Sequence, residues 1–433
     1  MTAITSSPKP LFDTLANVGA LYKDLQGNAN AHRQISAWLM QCFGEAKIPL
    51  PAFVVSEFHW ALNFLYSYRG SQDTFNGYRR ELERFISWSW FVRKASVLQL
   101  KRLDIEAFIE FCQKPPLCWI GTKTVARFND RDGLRLANSE WRPFIVKVSK
   151  VAFQDGKLPD KKYFKLSNTG VKQVFAILGS FYQFLIQEEA TQINPLLQMR
   201  QKSKFLRKEP SVKQIRRLSD TQWQTVLATA TQLADQEPKQ YERSLFMLQC
   251  LCAMYLRISE LAASDRWTPT MGDFFRDANK DWWFKTVGKG NKLRQIAVSD
   301  PMLAALKRYR THLGFSPLPA FDEQSPLIEK ATQAGKAMGS TRPIRKLIQQ
   351  CFDLAVEQLK KEHKLEEANL LRSATVHWLR HTGISDDVKR RPREHVRDDA
   401  GHSSSAITDR YIDVELKERA ASAKGNPTRQ NNS

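Results

Sequence analysis

The sequence predicts a mainly α-helical protein of more than one domain, with a small antiparallel β-sheet in its C-terminal half. Three observations predict it. Apolar residues recur at intervals of three and four along most of the chain, one stretch near 281–298 is β-branched and aromatic around a glycine-bracketed turn, and 433 residues exceed what one hydrophobic core serves. The chain carries 66 Lys and Arg against 45 Asp and Glu, a formal charge of +21. Self-repulsion of that size calls for an anionic partner, and nucleic acid is the first candidate. A membrane surface is the rival anion, but no run of about 18 apolar residues occurs, and the opening "MTAITSSPKPLFDTLANV" lacks the charged start and apolar stretch of a signal peptide. The expected location is therefore the cytoplasm. Six cysteines (Cys42, Cys112, Cys118, Cys250, Cys252, Cys351) are scattered without a CxxC pair or a histidine at ligand spacing. They read as buried thiols, not as a zinc site or a secreted disulfide frame.

Taken in order, residues 1–51 form an N-terminal extension with one or two helices ("LFDTLANVGALYKDL", "AHRQISAWLMQCF"), closed by the breaker "KIPLPAF". Residues 52–199 form a helical domain. Its apolar stripe runs through Phe58, Leu62 and Leu65, then Tyr78, Leu82 and Phe85, then Leu103, Ile105, Phe108 and Ile109, and resumes at "VKQVFAILGSFYQFLIQE" before Asn194-Pro195. Positions 114–165 interrupt it with prolines, glycines and mixed aromatic and basic residues, an irregular or strand-containing insertion. Its Trp119, Arg127, Arg135, Trp141 and Arg142 are candidates for DNA or subunit contacts, against the plainer expectation that the aromatics are core. Residues 200–217 hold eight basic residues and one acidic one around a proline, which reads as a linker. Lys202, Lys204, Arg207, Lys208, Lys213, Arg216 and Arg217 then either tether two domains in solvent or lie along a phosphate backbone.

From 218 to 433 the helical stripe returns, with Ser219 as a cap before "DTQWQTVLATATQL" and "RSLFMLQCLCAMYLRISELAAS" as one buried helix. The hairpin "DWWFKTV", "GKGNK", "LRQIAV" follows, and the remainder reads as helical. Four constellations in this half carry chemical potential: Arg257 in "YLRISEL", Lys289 at the hairpin tip, His377 and Arg380 in "HWLRH", and His402 with Tyr411 in "AGHSSSAITDRYI". Singly, each has an ordinary explanation as a salt-bridged arginine, a polar turn lysine, or a surface histidine. Residues three apart on a helix share nearly one face, so His377 and Arg380 can act together. Twenty-two positions separate Arg380 from His402 and nine separate His402 from Tyr411, and the whole ordered set is improbable by chance.

That set resembles the tyrosine recombinase family, of the phage integrase type, over roughly residues 52–420. The family's Arg-x-Ser-Glu-Leu motif is matched by Arg257, Ser259, Glu260 and Leu261, its hairpin lysine by Lys289, its His-x-Leu-Arg-His box by "HWLRH", its Gly-His by Gly401-His402 and its nucleophile by Tyr411. The resemblance implies a core-binding, SAM-like helical domain and a catalytic domain that close on DNA as a C-shaped clamp. It also implies a homotetramer on paired specific sites in double-stranded DNA, joined through a Holliday junction. Val414, Leu416 and Ala420 of the tail would dock on a neighbouring subunit. The chain departs from the family where Met254 and Tyr255 stand in place of a Thr-Gly turn, where Ala400 replaces a leucine, and where Pro392 interrupts the charged "SDDVKRRPREHVRDD".

The residue types suit the chemistry. Two guanidiniums, Arg257 and Arg380, can clamp a phosphate whose oxygens gain charge during attack. A phenol with a pKa near 10 needs a base, and the resemblance gives that task to His377. Lys289, or Lys292 in the same turn, would protonate the leaving 5′-oxygen, His402 would donate to the phosphate, and Glu260 would buttress the site. His381 is expected to be structural or solvent-facing. A 3′-phosphotyrosyl bond stores the energy of the cleaved link, so no ATP, metal or other cofactor is expected. The length of the N-terminus and insertion favours the integrase of a mobile element, acting near the nucleoid with accessory proteins of that element, over a chromosome dimer resolvase. A non-catalytic DNA-binding protein of the same fold and a relaxing topoisomerase are the remaining alternatives.

Overall fold

The computed structural model describes residues 7–27, 29–43, 50–197, 216–288, 290–409 and 411, with 199, 205, 423 and 424. Two compact units divide the chain, Met1–Pro210 and Ser211–Ser433. The expected linker residues Lys202, Lys204, Arg207, Lys208 and Lys213, the hairpin Lys289, and the tail residues Val414, Leu416 and Ala420 lie outside the described residues.

The first unit is a helical cluster. Of helices Leu15–Leu25, Phe53–Ser67, Gln72–Trp88 and Asn168–Gln187, all but the second start at a hydroxyl, of Thr14, Ser71 and Ser167, that accepts an orphan backbone N–H. Their apolar faces meet in one core. Leu11, Phe12, Val18, Ile35 and Leu39 from the N-terminal 51 residues join Phe58, Leu62, Leu82, Phe85, Phe108 and Phe181 in it. Glu83 ties three segments together: its carboxylate accepts the Leu11 and Phe12 N–H groups and pairs with Arg127 at 3.1 Å. The insertion contains strands, as its composition predicts. Phe128–Arg131 pairs antiparallel with Leu134–Ala137 across an Asp132-Gly133 turn in which both residues have positive φ, and Ile120–Gly121 pairs parallel with Phe144–Ile145.

The insertion residues that are candidates for DNA or subunit contacts each have partners within the first unit. Trp119 and Trp141 are buried, Arg127 pairs with Glu83, Arg135 pairs with Asp13 and Asp130, and Arg142 donates to the Ser139 and Trp141 carbonyls. Trp119 and Trp141 thus follow the plainer expectation of core aromatics, while Arg135 remains exposed.

In the second unit, helices Asp220–Gln236, Pro238–Ala253, Asp300–His312 and Thr341–Lys361 enclose a core that includes Leu245, Leu248, Leu251, Phe352 and Leu379. Ser219 accepts from Gln222 N while the Gln222 side chain accepts from Ser219 N, a complete capping box. The predicted hairpin is Trp282–Val287 with Leu293–Ala297, and Phe274–Arg276 adds a third antiparallel strand. A second small hairpin, Glu329–Lys330 with Gln333–Ala337, lies in a stretch expected to be helical. The apolar run before Arg257 is not one helix: it ends at Ala253, and Arg257 caps a short 3₁₀ turn, Ile258–Glu260. Among the described residues no helix is long and apolar enough to cross a membrane.

Candidate active site

Helix Val376–Asp387 supplies the centre of the site. It lies close against the end of helix Pro238–Ala253 because Gly383 has no side chain: a Cβ there would stand 2.0 Å from the Cys252 carbonyl oxygen. The close crossing buries Arg380, which is 3% exposed. Its Nη1 donates to the Tyr255 carbonyl and its Nη2 to the Ala400 carbonyl at 2.6 Å. Arg380 pairs with no carboxylate among the described residues. Burial first, and then the charge of Arg257, pull its pKa down to about 9, so it is still a cation at neutral pH.

Arg257 reaches the same place from the other side of the 3₁₀ turn. Glu260, almost fully buried, accepts from the Arg257 N–H at 2.8 Å and from its Nη1 at 3.0 Å. The same carboxylate takes both terminal nitrogens of Arg294, at 2.7 and 2.8 Å. Burial raises the Glu260 pKa, but the Arg294 and Arg257 contacts outweigh it and the net shift is downward. Arg294 also donates Nε to the Asp399 carbonyl at 3.0 Å, which joins the hairpin to the segment bearing His402. Three guanidiniums thus gather around one carboxylate, and the surplus positive charge suits a phosphate.

Helix Arg393–Ala400 starts after Pro392, which interrupts the helical run as the sequence predicts, and it ends at Gly401, whose φ of +63° is the left-handed conformation glycine favours. The His402 N–H then closes onto the Arg397 carbonyl at 3.1 Å, which turns the imidazole inward. Its Nδ1 lies 2.9 Å from Thr408 Oγ1, and its ring stacks at 5.7 Å with Tyr411. Burial, followed by the charges of Arg380 and Arg257, pushes the His402 pKa down to about 4.

Tyr411 is 8% exposed and packs with Tyr255, Ile384, Val396 and Ala400. Its Oη is 2.6 Å from Nδ1 of His381. This differs from the expectation that His381 is structural or solvent-facing. His381 is half-buried, its pKa is lowered to about 4 by desolvation and then by His377 and Arg380, and the neutral ring can accept the phenolic proton. His377 lies in edge contact with His381, centroids 4.3 Å apart, but is itself solvent-exposed. Its pKa is lowered by desolvation, then by Arg380 and Arg257.

The structure therefore brings Arg257, Glu260, His377, Arg380, His402 and Tyr411 into one neighbourhood, and adds Arg294 and His381. Gly288 at the hairpin's base abuts it, a Cβ there standing 3.4 Å from Arg257 Nη1. Lys292 is exposed in the turn, and its carbonyl accepts from Gly288 N at 2.8 Å. Of the linker arginines, Arg216 is exposed and Arg217 pairs with Asp386 at 3.2 Å. Among the described residues no group of three or more His, Cys, Asp and Glu is arranged to hold a metal ion.

The second unit is mainly helical with a three-stranded sheet, a buried tyrosine and converging arginines. Residues 216–418 match the model of the Phage integrase family, so in this segment the chain is similar to that family. A tyrosine recombinase XerD from Rickettsia bellii (strain RML369-C) is 28% identical over 144 residues, covering 33% of this chain and 44% of that protein, so the match spans less than half of its length. The solved structure of a XerH site-specific recombinase bound to a palindromic difH substrate, a post-cleavage complex, superposes with a TM-score of 0.53 at 14% identity, covering 96% of this chain and 99% of that one. At that identity the likeness is one of fold.

Proposed function

We propose that this protein is a site-specific DNA recombinase that cuts and rejoins double-stranded DNA through a 3′-phosphotyrosyl bond on Tyr411. The observation that carries the reading is the buried Tyr411 hydroxyl, 2.6 Å from the neutral His381 ring and next to His402 and Arg380. In the cleavage step Tyr411 Oη bonds to the scissile phosphorus, the P–O5′ bond breaks, and the electron pair leaves on the 5′-oxygen. Arg257 and Arg380 take up the charge that grows on the non-bridging oxygens, and His402 donates to one of them. An imidazole with its pKa lowered to about 4 is too weak a base to hold the phenolic proton at rest, so the transfer to His381 Nδ1 accompanies attack instead of preceding it. His377, the base expected from the sequence, then serves the phosphate from its exposed position. Lys289, or Lys292, protonates the leaving 5′-oxygen. A second 5′-hydroxyl reverses the sequence and needs no ATP.

Pairs of cleaved sites exchange strands within a homotetramer through a Holliday junction, and the linker from Lys202 to Arg217 follows the phosphate backbone. The biological role is integration or excision of a mobile element. The experiment is incubation with suicide DNA from the flanks of the gene. A covalent protein–DNA adduct and recombinant junctions are expected. Binding without an adduct supports the non-catalytic alternative, and relaxation of any supercoiled plasmid without site preference supports a topoisomerase. Accumulated chromosome dimers in a cell lacking the gene overturn the mobile-element role.

A further inference from the structure

Tyr255 stands at φ +49°, a left-handed backbone position that favours glycine, and yet its side chain is fully buried. What that side chain does links two of the three places where the sequence departs from the tyrosine recombinase pattern, the Met254-Tyr255 turn and the charged stretch around Pro392. The Tyr255 hydroxyl donates to the Asp387 carboxylate and accepts from Arg391 Nη1 at 3.0 Å. Arg391 Nη2 reaches Asp399 Oδ2 at 2.6 Å. Asp387 and Arg391 lie in the charged stretch around Pro392, and Asp399 immediately precedes Ala400.

These groups join the two ends of one object. The plane of the Arg380 guanidinium is set by the Tyr255 and Ala400 carbonyls, which belong to segments far apart in sequence. Tyr255, Arg391 and Asp399 connect the residue bearing the first carbonyl to the neighbour of the second. Asp387, on the same helix as Arg380, accepts from the hydroxyl and lies 3.6 Å from Arg391 Nη1. Asp399 is buried, and its pairing with Arg391 offsets part of the burial that raises its pKa. Tyr255, Ala400 and Tyr411 also share one apolar cluster, so the same brace backs the ring of the nucleophile.

We propose that Tyr255, Asp387, Arg391 and Asp399 form a positioning network that holds the two carbonyls orienting Arg380, and thereby sets the rate of strand cleavage without touching DNA. The inference rests on the recombinase reading. The alternative is a tyrosine that merely fills the core, whose hydroxyl then governs stability and not rate.

The test measures single-turnover adduct formation on suicide DNA for wild type, Tyr255→Phe, Arg391→Lys and the double variant. In each single variant the DNA concentration for half-saturation stays within about twofold of wild type while the saturating rate constant falls about tenfold or more, the size of loss that small displacements of a reacting group produce. The double variant loses no more than about twofold beyond the worse single, as members of one network do. Wild-type rates in DNA-bound Tyr255→Phe and Arg391→Lys overturn the network and leave the recombinase reading standing, as do losses that multiply in the double variant. Should Tyr255→Phe fail to fold, the half-exposed Arg391→Lys decides alone. An absence of adduct in wild type overturns both.

Discussion

Glu260→Gln removes the carboxylate that, among the described residues, pairs with both Arg257 and Arg294, and leaves two guanidiniums facing each other beside Arg380. Glu260 accepts four hydrogen bonds at 2.7–3.0 Å from these two arginines while only 3% exposed. Breaking a buried ion pair by removing one partner costs about 3–5 kcal/mol, and because glutamine retains one acceptor oxygen the lower end, about 3 kcal/mol, is expected. For a domain of roughly 150–250 residues each kcal/mol moves Tm by about 2–4 °C, so the C-terminal unit should melt about 6–12 °C lower. Scanning calorimetry at pH 7 measures it. The folded pKa of Glu260 is depressed, so its contribution is present above the ordinary carboxylate range and is lost as pH falls through the lower folded value. The difference between wild type and variant should therefore narrow below about pH 4.5. A Tm shift under about 2 °C at pH 7, or a difference that widens in acid, refutes this account of how the arginines are held.

In the free protein, His381 and His402 have folded pKa values lowered to about 4. Their rings should keep constant NMR shifts from pH 8 down to about 5.5, and their contribution to stability should decline as pH falls from about 6.5 toward the folded values; titration at 6.5 contradicts it. Phe12, buried and stacked 5.1 Å from Phe58, places the N-terminal segment within the first unit's core. Phe12→Ala should cost about 3–5 kcal/mol in chemical denaturation, and an unchanged midpoint means that this segment contributes nothing to the fold. Replacing Lys202, Lys204, Arg207 and Lys208 with glutamine should lower the slope of log K against log salt for DNA binding by about 0.9 for each phosphate that is no longer neutralised. An unchanged slope leaves the linker a tether.

The sequence made legible what depends on local order: the capped helix starts, the hairpin around "GKGNK", the helix break at Pro392 and the mainly helical class. It also announced Arg257, Arg380, His402 and Tyr411, because their spacing survives in one dimension. His381 was hidden by its neighbour. It follows Arg380 directly, which on an isolated helix turns it toward another face, and only the return of Tyr411 onto that helix makes it part of the site. Arg294 left a fainter signal. It pairs across the hairpin with the fully buried Thr286, and paired residues share a face of the sheet, so an arginine there points inward and needs a carboxylate. That the carboxylate is Glu260 depends on tertiary packing. The helix that ends at Ala253 reads as continuous because nothing in its apolar run betrays the left-handed turn at Tyr255; the bonds that hold the turn come from residues 387 and 391.

The most direct test of the central claim is to digest the covalent adduct with trypsin and nuclease and locate the modified residue by mass spectrometry. The account predicts that the peptide YIDVELK, which begins at Tyr411, carries a nucleoside 3′-phosphate, and that Tyr411→Phe forms no adduct while it still binds the site. A nucleotide attached to any other residue, or an adduct that persists in Tyr411→Phe, contradicts it.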